Sequence, residues 1–262
     1  MFHRHILVGA LSALVLAFTV SAAGAEVRTK TIEYKEGGAS LKGFLAWDDS
    51  KYGERPGVLV VHEWWGLNDY AKSRARQLAK EGYVAFALDM YGDDKVTKHA
   101  KQAGAWSKQI SQNSDAWLAR AEAGLKVLKS QHNVDKSKIA AIGYCFGGST
   151  VMQMAYSGSD VKAVVSYHGS LPPAPASVTS IKPRVLVAHG RDDKFIPMDR
   201  IVKFQERLDQ TKANWEMTIY SGARHGFTNP DAGSFGIDNL AYDKTADTRS
   251  WAAMQQLFDE VF

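Results

Sequence analysis

Three residues in this 262-residue chain have the types and neighbours that chemistry requires. Cys145, the only cysteine, lies in Gly143-Tyr144-Cys145-Phe146-Gly147. A nucleophile with glycine two residues to each side reads as a sharp strand-to-helix turn, where added side chains would strike neighbouring backbone. A cysteine on that turn sits near a helix N-terminus, whose dipole favours the thiolate. Further along, an apolar run ending at His189 leads into Gly190-Arg191-Asp192-Asp193-Lys194-Phe195-Ile196-Pro197. Asp193, four residues before Pro197, is better placed than Asp192 to orient an imidazole, and Asp192 also suits a turn or cap. His225 follows in Arg224-His225-Gly226-Phe227, again after an apolar run. Nucleophile, carboxylate and histidine are the parts of covalent acyl transfer: the imidazole moves the proton and the carboxylate orients it. The plain alternative is a core cysteine, a turn aspartate and a structural histidine. Their shared order, each beyond a strand, weighs against it. His62, His168 and His189 also end strands and suit structural roles, and His99 and His132 suit the surface.

The elements that must hold these residues follow from hydrophobic patterning. Residues 31–35 and 41–47 read as an antiparallel pair turning at Gly37-Gly38. Residues 57–62 and 83–88 are continuous apolar runs, as expected of strands buried on both faces. Between them lies a helix capped by Asn68 or Asp69 and ended by Gly82. Residues 96–131 read as two helices broken near residues 111–114. Strand 139–142 enters the cysteine turn and helix 146–156 leaves it. Strands 161–167, 184–188 and 215–220 follow, with a proline-rich loop over 171–175 and helices over 199–208 and 242–261. Alternating strands and helices predict an α/β fold with a mainly parallel central sheet and helices on both faces. Ligands in such sheets bind beyond the carboxyl ends of the strands. The order nucleophile, acid, histidine is that of the α/β-hydrolase fold.

Residues 1–25 read as a signal peptide: Arg4, an apolar run over 6–20, then Ala23-Gly24-Ala25. The apolar run is shorter than the ~20 residues of a membrane span. Residues 26–262 are then expected to form one α/β-hydrolase domain of an exported, periplasmic or secreted protein. In an oxidising compartment one unpaired thiol makes no internal disulfide, so it is either buried and inert or kept for chemistry. The 32 basic and 28 acidic residues give a net charge of +4 without clustering. Nucleic-acid and stable membrane partners are therefore not expected. The histidines and carboxylates show no metal-ligand spacing, so neither metal nor cofactor is expected. No pattern demands an interface, so a monomer is expected.

Over roughly residues 28–262 the chain resembles the dienelactone hydrolase family. The resemblance rests on His62-Glu63-Trp64-Trp65-Gly66-Leu67, Gly143-Tyr144-Cys145-Phe146-Gly147-Gly148, the Asp193 to Pro197 segment and Arg224-His225-Gly226-Phe227. It implies hydrolysis of a small ester or lactone, with Cys145 as nucleophile, His225 as base and Asp193 as orienting acid. It also implies that Glu63 hydrogen-bonds the resting thiol and yields when substrate arrives. The backbone N–H groups of Phe146 and Trp64 are the implied oxyanion hole. The chain departs from the family where arginines bind a substrate carboxylate. Asp93 stands near the place of one, and Asn229 at the place of the other. Arg224 and Lys95 are the cations left to substitute. A pocket for neutral esters is the resulting expectation, walled by Trp64, Trp65, Tyr91 and Trp106, with Arg224 at its edge. The alternatives are a general carboxylesterase or thioesterase, a redox-sensing thiol protein, and a non-catalytic binding protein on a hydrolase scaffold.

Overall fold

The computed structural model describes Met1 and residues 26–262. Residues 2–25, within the expected signal peptide, lie outside the described residues. Eight strands form one sheet in the order β1-β2-β4-β3-β5-β6-β7-β8. β1 (Val27–Glu36) and β2 (Ala39–Asp48) pair antiparallel around the expected glycine turn, with Gly37 and Gly38 both at positive φ. β2 also runs antiparallel to β4 (Val84–Leu88). From β4 through β3 (Arg55–Val61), β5 (Val134–Tyr144), β6 (Ala163–Tyr167), β7 (Arg184–Gly190) and β8 (Trp215–Tyr220) every pairing is parallel.

Side-chain alternation along the strands builds two cores. Val58 and Val60 of β3 face α1 (Asp69–Lys80) and α6 (Lys244–Val261), packing with Leu78, Met254 and Phe258. Leu59 and Val61 point the opposite way. They meet Leu125 and Leu128 of α3 (Ser114–Lys129), Val151 of α4 (Phe146–Ser157) and, further along that face, Phe204 of α5 (Met198–Asp209). Burying each such side chain stabilises the fold by roughly 1.5–3 kcal/mol. This two-sided cover explains why the central strands are uniformly apolar.

Helix starts follow local chemistry. Asn68, not Asp69, caps α1 by accepting from the Ala71 N–H, and Asn113 caps α3 in the same way. α2 (Ala100–Ser111) precedes α3, and only Ala103 among its residues is buried. β5 starts earlier than its apolar run suggests. Val134 and Asp135 pair with Arg55 and Pro56, and a register shift between Pro56 and Gly57 resumes pairing at Ile139. The carboxyl ends of β3, β5, β7 and β8 lead directly to Glu63, Cys145, Asp193 and His225.

Candidate active site

Cys145 occupies the turn between β5 and α4 with φ 55° and ψ −112°. A non-glycine residue there stores strain of about 1–3 kcal/mol, tolerated where the surroundings over-determine it. The surroundings are backbone at close quarters. A Cβ on Gly143 would lie 2.0 Å from the Gly147 carbonyl oxygen, and one on Gly147 would lie 2.2 Å from that of Val61. Gly148 is packed as tightly, with Gly169 Cα 2.9 Å from an added Cβ. These glycines are therefore requirements of close approach, as the spacing predicted. The Cys145 backbone N–H donates to the Tyr167 carbonyl at 3.0 Å and to His168 Nδ1 at 3.1 Å.

His225 and Asp193 meet as expected. The imidazole Nδ1–H donates to Asp193 Oδ2 at 2.8 Å. Asp193 Oδ1 accepts from the Phe195 N–H at 2.9 Å and from Asn239 Nδ2 at 3.2 Å. Asp192, the alternative, is exposed and makes no contact with His225. Although burial favours ionising neither group, these donors hold Asp193 below the usual carboxylate range. His225 is 6% exposed. Burial opposes its protonation, but the charge and hydrogen bonding of Cys145 and Asp193 win, pushing it up to about 10. At neutral pH His225 is thus an imidazolium facing Cys145.

Glu63 is buried at 4% exposure, and desolvation pushes its carboxyl up to about 7 against the Asn229 hydrogen bond and the His225 charge. Its Oε2 accepts from Asn229 Nδ2 at 2.7 Å. The hydrogen bond to the Cys145 thiol implied by the family resemblance is not formed among the described residues. The carboxylate is bound instead to Asn229, the residue at the place of the family arginine. A carboxyl that binds its proton more tightly when folded costs stability on ionisation, so this contribution falls as pH rises from ordinary glutamate values through about 7. Glu63→Gln should therefore gain stability relative to the native chain between pH 5 and pH 8, by up to about 3 kcal/mol. Urea midpoints at the two pH values measure it, and an unchanged difference contradicts it.

A cavity of about 300 Å³ opens over Cys145 and His225. Trp64, Trp117, Phe146, Phe195, Ile196 and Leu240 give it apolar walls, relieved by the hydroxyls of Ser107, Ser111, Ser149 and Ser170. The Phe146 ring is stacked on Trp117 at 5.6 Å. The backbone N–H groups of Phe146 and Trp64 donate to no protein acceptor among the described residues.

The expected walls need correction. Trp65 is buried against Phe235, with ring planes 7° apart, and does not line this cavity. Tyr91 turns its hydroxyl to the Trp64 carbonyl at 3.0 Å, and with Trp106 it lines a separate cavity. Arg224 is exposed and donates to the Asp238 carbonyl at 2.9 Å. Lys95 pairs with Asp93 at 3.2 Å. Of the Trp64-Trp65 pair, which lies in the turn after β3, only Trp64 lines the cavity. No lysine or arginine lines the cavity. Asn229 and Asn239 escaped sequence reasoning as site residues: their partners are distant in the chain, and the only signal was Asn229 at the place of a family arginine.

A mainly parallel sheet with this strand order and a strained cysteine turn at its centre defines an α/β-hydrolase. The description of the dienelactone hydrolase family matches residues 41–262. The chain belongs to the dienelactone hydrolase family and is by class an ester hydrolase. It is similar to a solved dienelactone hydrolase-like promiscuous phosphotriesterase from metagenomic libraries, at 41% identity and TM-score 0.88 over 91% of this chain and 100% of that one. It is similar to the solved m3DLH at 38% identity and TM-score 0.87, covering 90% and 99%. Protein usf of Aquifex pyrophilus is 28% identical over 203 residues, 76% of this chain and 86% of that protein.

Proposed function

We propose that the chain hydrolyses uncharged carboxylic esters or lactones by a Cys145-His225-Asp193 triad through an acyl-enzyme. The observation that carries this is the cavity itself: it opens on Cys145 and His225, is mostly apolar and is lined by no lysine or arginine. With its thiol proton passed to His225, Cys145 Sγ attacks the carbonyl carbon, and the carbonyl π electrons move to oxygen, which the Phe146 and Trp64 N–H groups receive. Collapse of that tetrahedral species expels the alkoxide, which takes the proton from His225. His225, now neutral, removes a proton from water, hydroxide adds to the thioester, and the thiolate leaves. Asp193 keeps the Nδ1 proton in place throughout, so that Nε2 is the working atom. Glu63, bound to Asn229 and beside His225, supplies negative charge that favours the imidazolium.

A substrate carboxylate would enter this cavity with no lysine or arginine to pair it, and a poorly paired buried charge is costly. A neutral short-chain ester or lactone should therefore exceed its carboxylate-bearing analogue in kcat/KM by about 100-fold or more. A panel of matched esters and lactones measures this, and equal or reversed preference sinks the neutral-substrate reading. The 41% identity to a solved promiscuous phosphotriesterase, together with a cavity lined by no lysine or arginine, favours a neutral phosphotriester as a second substrate in the panel.

A further inference from the structure

One buried histidine outside the triad touches the nucleophile's own backbone. His168 directly follows β6, is fully buried and has φ 40°, in the left-handed region. Its Nδ1 accepts the Cys145 N–H at 3.1 Å. An accepting Nδ1 puts the ring proton on Nε2, which then donates to Thr228 Oγ1 at 2.7 Å. Thr228 lies three residues beyond His225. Its hydroxyl is 2.6 Å from that of Tyr70, and its carbonyl accepts from Arg74, which also pairs with Asp247. The His168 ring also meets the His225 ring edge-on, with centroids 5.2 Å apart. One side chain thus joins the cysteine turn to the loop that carries the base.

We infer that His168 is a positioning residue: a neutral, Nε2-protonated imidazole that fixes the Tyr144–Cys145 peptide and sets its register against the His225 loop. The inference rests on the reading of Cys145 and His225 as nucleophile and base. Three features support it. Only the neutral ring offers an acceptor to Cys145 N–H and a donor to Thr228 together. Burial, reinforced by the charge on His225, holds His168 well below the usual histidine range, so the ring stays neutral. The groups around it are Thr228, Tyr70, Tyr144, Phe227, His225, His189 and Arg74. No carboxylate hydrogen-bonds the ring to favour its cation.

Two amide variants separate the ends of the ring. In His168→Asn the side-chain oxygen falls near the place of Nδ1, and asparagine tolerates a left-handed backbone. In His168→Gln the amide reaches toward Thr228 instead. On 4-nitrophenyl acetate, His168→Gln should lose about 10- to 100-fold in kcat with KM within about twofold, because small misplacement of reacting atoms is costly. His168→Asn should recover most of that loss. Alkylation of Cys145 by iodoacetamide should follow the same order. It requires no hydrolysis, so it tests the positioning even if the ester reading fails. Thr228→Val, which keeps the shape and removes the acceptor for Nε2–H, should lower kcat about 3- to 10-fold. It serves as the second probe should His168→Gln not fold. Equal losses in the Asn and Gln variants that track their melting temperatures would reduce His168 to a packing residue. Native kcat and alkylation in His168→Gln, or in Thr228→Val if His168→Gln does not fold, would overturn the proposal.

Discussion

Cys145→Ala should abolish ester hydrolysis and leave the fold intact. The fold survives because the side chain lies only partly buried at the cavity, and the turn's hydrogen bonds run through the Cys145 backbone. Alanine also keeps a Cβ at φ 55°, so it adds no new backbone penalty. Activity falls because no other thiol exists in the chain and Ser149, the nearest hydroxyl along α4, is engaged with Ser170 at 2.6 Å. Loss of a nucleophile on an otherwise intact site costs at least about 10⁴-fold in kcat. Turnover of 4-nitrophenyl acetate, with circular dichroism as the check on folding, measures both halves. Native turnover in the folded variant would remove the covalent Cys145 mechanism.

Asp193→Asn is the second large loss, and its reason is tautomeric. Asp193 Oδ2 fixes the His225 Nδ1 proton, while Oδ1 is held by Phe195 and Asn239. An asparagine has one accepting oxygen for these donors. If that oxygen stays with Phe195 and Asn239, the amide NH₂ faces His225 and the ring shifts its proton to Nε2, away from the tautomer that can act as base. If it turns to His225, the NH₂ meets two other donors. Either way kcat falls by about 10³- to 10⁴-fold with little change in KM. The pKa of His225 also falls, since the carboxylate is among the groups that hold it near 10. A pH–rate profile on the variant reads this directly, and a profile superimposable on the native one contradicts it.

Local signals made the cysteine turn and the strands around it legible. Gly143, Cys145 and Gly147 encode the turn because the clashes they avoid are nearly intrinsic to that geometry. The strands showed as apolar runs because both faces of the sheet are covered. Positions fixed by distant partners were opaque. Asn229 reaches back 166 residues to Glu63 and Asn239 reaches back 46 to Asp193. Neither spacing has a local signature. His168 looked like one more histidine at a strand end, since its role depends on Cys145 and Thr228 arriving on either side. The pocket walls were assigned wrongly for Trp65, Tyr91 and Trp106. Hydrophobicity says that an aromatic is buried, not which cavity it borders. The extra residues of β5 were missed because the register shift opposite Pro56 interrupts the apolar pattern.

α2 contributes Ser107 and Ser111 to the cavity yet buries only Ala103. It carries none of the hydrogen bonds that assemble Cys145, Asp193 and His225. The enzyme thus separates what is chemically fixed, on strand ends packed backbone to backbone, from what is adjustable, on one lightly anchored helix. Drift in the exposed residues of α2 meets little resistance from folding, and selection on substrate preference has there a wall it can rebuild without disturbing the reaction.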